Sequence, residues 1–307
     1  MCKFREFTHL IVEFYTPNCG ILHTIIEFYT PCIKIFLYLC TQIFEINEKM
    51  ELQLYQTVLY LAGGINVMIA FVLLHNNYWY RNYDVYHRAR QFMALNYIIF
   101  GIGFCIHAYF QLRLTHPVVA SALSVSYFHS GGVLFGWSHT SLMRPGYLTR
   151  KVVVRDLFVL AFGITCYWLT VMCKGECHFI RWSFGVFFAH AVYITYIFYS
   201  TYNSVRRSFE QMPADDGAPR WWTAETKRKV LARHNSFVIG CHLIVLFGIG
   251  SIIVTACFQH ETWPYTILMA MGIGVFCFLF YSLAEYGNTI ESATNAAEDA
   301  GKTTENQ

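Results

Sequence analysis

Charge is what this chain has least of. Asp, Glu, Lys and Arg make up 13% of its 307 residues, about half the share found in soluble domains, and that deficit excludes an ordinary water-soluble enzyme. Proline is scarce too, with seven residues, all outside the interiors of the long apolar runs. Helices broken at mid-membrane, as in many transporters, are therefore not expected. Catalytic signatures are also missing: there is no Gly-x-Ser-x-Gly elbow, phosphate-binding glycine loop, His-Glu-x-x-His or Cys-x-x-Cys-His. No catalytic residue is assigned on this basis.

What the chain has is apolar length. Hydrophobic residues reach 55%, with 27 Phe and 21 Tyr, and a helix needs about 20 such residues to cross a bilayer. Seven stretches qualify: 52–74, 91–112, 118–140, 156–173, 179–202, 236–258 and 264–286. They are continuous rather than alternating, which favours helices over barrel strands. The expected fold is an all-α integral membrane protein, a bundle of seven transmembrane helices.

Basic residues orient that bundle. Fourteen Lys and Arg fall in the first, third and fifth connections, among them Arg81, Arg88, Arg144, Arg150, Arg155, Arg206 and Arg207, whereas the alternate side has only Arg113, Lys174 and Arg181. Because cytoplasmic loops retain positive charge, the first span is expected to start outside and the C-terminus to lie in the cytoplasm. Tyr78, Trp79, Tyr80, Trp221, Trp222 and Trp263 sit at span ends, where amphipathic rings favour the headgroup region. Short outer connections and this charge pattern suit a bacterial inner membrane.

Residues 1–49 fit this plan poorly. They repeat IVEFYTP at 11–17 as IIEFYTP at 25–31, too few copies for a solenoid, and have no apolar run long enough to span. They read as an extension, with Met50 the expected start of the protein. The membrane domain then covers 50–286, the basic connection 203–235 lies within it, and 287–307 is a polar tail, either flexible or a juxtamembrane helix.

Ionisable and amide side chains inside spans are costly and mark function. His107, His129, His190 and His242, with Asn96 and Gln111, are the intramembrane candidates. A rise of about 1.5 Å per residue places His129 and His190 at nearly equal depth, close to the bilayer centre. Asn96, Gly103, His107 and Gln111 recur at helical spacing as one polar stripe. Ser126, Tyr193 or a backbone carbonyl is the expected partner for a buried imidazole here. No cofactor is called for, but His129 and His190 are the pair that would ligate haem or a metal if one binds. Asp156 and Glu285 fall at span ends and leave mid-membrane without a carboxylate, which weighs against ion-coupled transport.

Trp221, Trp222, Lys227, Arg228, Lys229 and Arg233 form a basic, aromatic segment suited to a cytoplasmic regulator protein or to anionic lipid. Nucleic acid is not an expected partner. Cys173 and Cys177 are close enough in sequence for a disulfide on the outer side. Seven helices without a catalytic constellation have the layout of membrane sensor or receptor modules, an analogy of architecture. That reading comes first, a histidine-ligated redox protein second and a small-molecule or lipid transporter third.

Overall fold

Pro117 at the first helical position and Thr149 at an N-cap show how this chain starts its helices. Pro has no N–H to waste at that position, and the Thr149 hydroxyl accepts from Val152 N at 3.4 Å, satisfying one orphan donor. The structure is a computed structural model that describes residues 48–75, 84–173, 179–211, 224–258 and 261–305. Of its two units, 1–45 lies outside the described residues, and the account below concerns 46–307.

The described chain forms α1 (Glu48–His75), α2 (Asp84–Tyr109), the single turn α3 (Leu112–Thr115), α4 (Pro117–Met143), α5 (Arg150–Met172), α6 (Phe179–Gln211), α7 (Ala224–Cys257) and α8 (Trp263–Glu305). No strand occurs among the described residues. All but α3 are long and apolar enough to cross a membrane, giving seven spans. Their outward sides carry large apolar groups such as Phe71, Phe158, Met172, Tyr196 and Leu246, a surface that only lipid would cover without penalty. This is an integral membrane protein.

Hydrogen bonds between helix ends fix an up-and-down arrangement. At the end rich in Lys and Arg, Tyr86 donates to Leu283 O at 3.1 Å, Ser138 to Ala89 O at 2.9 Å and Tyr202 to Asn235 Oδ1 at 2.7 Å. At the opposite end Gln56 donates to Ala108 O at 3.2 Å and Tyr265 to Val254 O at 3.2 Å. Helices α1 and α2 form a hairpin whose backbones touch. A Cβ on either Gly63 or Gly101 would lie 3.2 Å from the other's carbonyl oxygen, the close approach that small residues permit in membranes.

Helix α4 is the hub, packed against α2, α5 and α6, while α8 closes the bundle against α1 and α7. Helix α5 is peripheral. Its buried residues are Asp156, Gly163, Tyr167 and Thr170, a single stripe at intervals of seven, four and three.

Three boundaries sharpen the sequence expectation. Helix α5 starts at Arg150, so Asp156 lies inside it. The basic connection shortens at its start because α6 runs on to Gln211, while α7 begins at Ala224, as expected of the helix-forming run Ala224 to Arg233 that leads into the sixth span. Finally, α8 continues past the seventh span to Glu305, so of the two readings of the tail residues 287–305 take the helical one.

Candidate functional site

The buried stripe of α5 meets α4 and α6 in a chain of polar contacts. His129 of α4 and His190 of α6 touch directly, Nε2 to Nδ1, at 2.8 Å. On one side Tyr167 of α5 lies 3.0 Å from His129 Nδ1. On the other, His190 Nε2 stands 3.6 Å from Asp156 Oδ1, long for a hydrogen bond but within strong electrostatic reach. Asp156 Oδ2 accepts from Trp137 Nε1 at 2.8 Å, and Oδ1 accepts from Arg155 Nε at 2.8 Å. Arg155 also donates to the Tyr193 hydroxyl at 2.5 Å and keeps 39% of its side chain exposed. In the turn between α4 and α5, burial pushes the Tyr147 phenol above its ordinary range, and the Asp156 charge adds to that.

This row of groups has a preferred proton polarity. A carboxylate only accepts, so His190 Nε2, facing Asp156, is where that ring holds its proton. Its Nδ1 is then an acceptor, His129 Nε2 donates to it, and His129 Nδ1 accepts from the Tyr167 hydroxyl. The reversed polarity would point a lone pair at a carboxylate 3.6 Å away. The two arrangements differ in which nitrogen of each imidazole carries its proton. Gly163 makes the row possible, because a Cβ there would fall 2.9 Å from the His129 ring and 3.0 Å from the Tyr167 oxygen.

A second polar cluster occupies the opposite end. Arg113, 1% exposed, donates to Ser121 Oγ at 2.9 Å and to Ser124 Oγ at 3.4 Å, and its guanidinium lies 3.8 Å from the Tyr265 ring centre. Ser124 also contacts His107 Nε2 at 3.2 Å. Arg113 has no carboxylate partner among the described residues. Four rings from four helices, Phe100, Phe128, Phe247 and Phe276, form a closed circuit with centroids 5.0–5.6 Å apart. Along α4, Tyr127 and Phe128 stand between Ser124 and His129.

The remaining candidates are scattered. Asn96 is buried in α2, but Gln111 has left the helix for a left-handed turn at φ 49°. His242 is exposed, bonding Val238 O of its own helix at 2.6 Å. Lys227 donates to Glu210 O at 2.9 Å and Lys229 pairs with Glu225 at 2.6 Å. Arg228 is exposed. Arg233 lies within α7, but its side chain, like Trp221, Trp222 and Cys177, lies outside what is described. Cys173 is an exposed thiol at the end of α5.

Ser126 and Tyr193, two of the partners expected for a buried imidazole here, bond elsewhere. Ser126 bonds Ala122 O at 2.7 Å and Tyr193 receives Arg155. Sequence reasoning also passed over Asp156 and Tyr167 as members of the site, and over the buried His139 and His234. The N-cap at Thr149 was the available signal for Asp156, since it starts α5 two turns earlier. As for haem, imidazoles ligating in trans need nitrogens about 4 Å apart, twice a metal–nitrogen bond of about 2 Å. At 2.8 Å these two nitrogens hydrogen-bond to each other instead. No three His, Cys, Asp or Glu among the described residues gather to hold a metal. The chain matches no family model, no curated protein and no solved structure.

Proposed function

We propose that this protein is a sensor-type membrane module in which the Tyr167–His129–His190–Asp156 row is the switching element. The observation that carries the reading is the direct imidazole contact, which joins α4 to α6 and, through Tyr167 and Asp156, to α5. A switch needs two states with a definable difference, and proton polarity along this row supplies one. Events that neutralise Asp156 or draw Arg155 away remove the bias toward the preferred polarity. A cytoplasmic regulator reading the basic ends of α6 and α7 would complete the pathway, in a bacterial inner membrane with that end inside.

A conducting role fits less well. A proton path must reach both faces, and the aromatic residues of α2 and α4 separate this row from the His107 and Arg113 cluster. The row is a dead end, which suits a switch. Hydrogen exchange on protein in lipid nanodiscs, comparing wild type with Asp156→Asn, tests the proposal. Faster exchange is expected at 203–211 and 224–235, away from the substitution, with the α1–α2 hairpin unchanged. A difference confined to the immediate neighbours of Asp156 would make the row purely structural.

A further inference from the structure

Beside the histidine row, α4, α6 and α7 enclose a cavity of about 380 Å³ with Asn96 of α2 among its lining residues. That volume is within the range of small-molecule sites, about 300–1,000 Å³. Its walls are almost wholly apolar, including Phe128, Phe187 and Phe247. Phe188, Val192 and Ile249 also line it and are exposed on the outer side of the bundle. The cavity therefore communicates with the hydrocarbon of the bilayer.

Asn96 sits in this apolar setting at 2% exposure, its Oδ1 buried and without a donor among the described residues. A buried amide oxygen in apolar surroundings is unfavourable until something donates to it. Water is a poor occupant, because a buried water wants two to four polar partners. A hydroxyl both donates and accepts, so it matches either face of the amide, and the rest of the occupant must be hydrocarbon to match the walls. We propose that this cavity is a binding site for a neutral lipophile carrying one hydroxyl, entering sideways from the membrane and hydrogen-bonding Asn96. The site stands independently of the switching role. Phe187 links the two, since it lines the cavity and lies 5.5 Å from the His129 ring.

Two glycines offer a way to fill the site. Gly132 and Gly248 line the cavity, and a Cβ on either meets nothing within 4 Å, so Gly132→Leu with Gly248→Leu fills the space. The probe is a long-chain alcohol bearing a photoreactive diazirine, added to the full chain in nanodiscs, with labelled peptides mapped by mass spectrometry. Saturable labelling is expected on α4, α6 and α7 around the cavity. The unlabelled alcohol should compete about fivefold better than the matching alkane, the effect of one hydrogen bond. Asn96→Leu should erase that preference, and the double leucine variant should abolish saturable labelling. Labelling that does not saturate, or that alcohol and alkane compete equally, marks ordinary boundary lipid and overturns the proposal. If the filled variant fails to fold, the Asn96→Leu competition decides alone.

Discussion

Arg155 and Arg113 are both drawn into this bundle, at opposite ends, and they are accommodated in opposite ways. Arg155 is half-exposed and lies against a carboxylate that is 1% exposed. Arg113 is almost completely buried, yet among the described residues it meets neutral groups, the hydroxyls of Ser121, Ser124 and Tyr55 and the face of Tyr265. Hydroxyls and a π face spread a guanidinium charge without adding a second charge that must itself be desolvated. Asp156, by contrast, is an acceptor that gathers donors from three helices: Trp137, Arg155 and the nearby His190. One end holds a packed cation and the other an ordered network in which two imidazoles in contact face a carboxylate.

That contrast predicts unequal responses to mutation, measurable as unfolding free energies in detergent. Asp156→Ala should be the most damaging, about 3 kcal/mol, since it strands three donors, and Arg155's access to water keeps the loss at the lower end for broken pairs. His129→Phe is expected to cost about 2 kcal/mol by leaving Tyr167 and His190 Nδ1 unpartnered. For Gly163→Ala the gain in helix propensity, about 1 kcal/mol, is outweighed by the clash with His129, for a net loss of about 1 kcal/mol. Arg113→Met should stay within about 1 kcal/mol of wild type, because Ser121 still donates to Pro117 O and Ser124 still meets His107. A loss there as large as for Asp156→Ala would erase the distinction between the two ends. Reversing Lys227, Arg228 and Lys229 to Glu should lower stability only slightly, through the exposed Lys229–Glu225 and Lys227–Glu210 contacts it breaks, and reduce capture of a cytoplasmic regulator from native membranes. Unaltered capture would remove the basic helix from the signalling path.

The seven spans were legible because each is an unbroken apolar run, and the near-equal depth of His129 and His190 followed from helical rise alone. Their direct contact was not, since depth leaves rotation about each helix axis undetermined. Asp156 was misread for a related reason. Hydropathy marks where apolar sequence begins, whereas α5 begins where Thr149 caps it, so the polar first turns of a membrane helix look like loop. Gln111 and His242 show the converse error. Periodicity put Gln111 on the stripe of His107, but the left-handed residue ends that helix first. His242 satisfies itself on its own backbone and faces outward.

The central claim is that the histidine row has one preferred proton polarity, imposed by Asp156. Nitrogen-15 spectra of histidine-labelled protein in bilayers, assigned by subtracting His129→Gln and His190→Gln, read it directly. The account predicts a proton on Nε2 of both rings and a hydrogen-bond coupling from His129 Nε2 to His190 Nδ1, with the pattern altered in Asp156→Asn. A proton on His190 Nδ1, or no coupling between the rings, would contradict it.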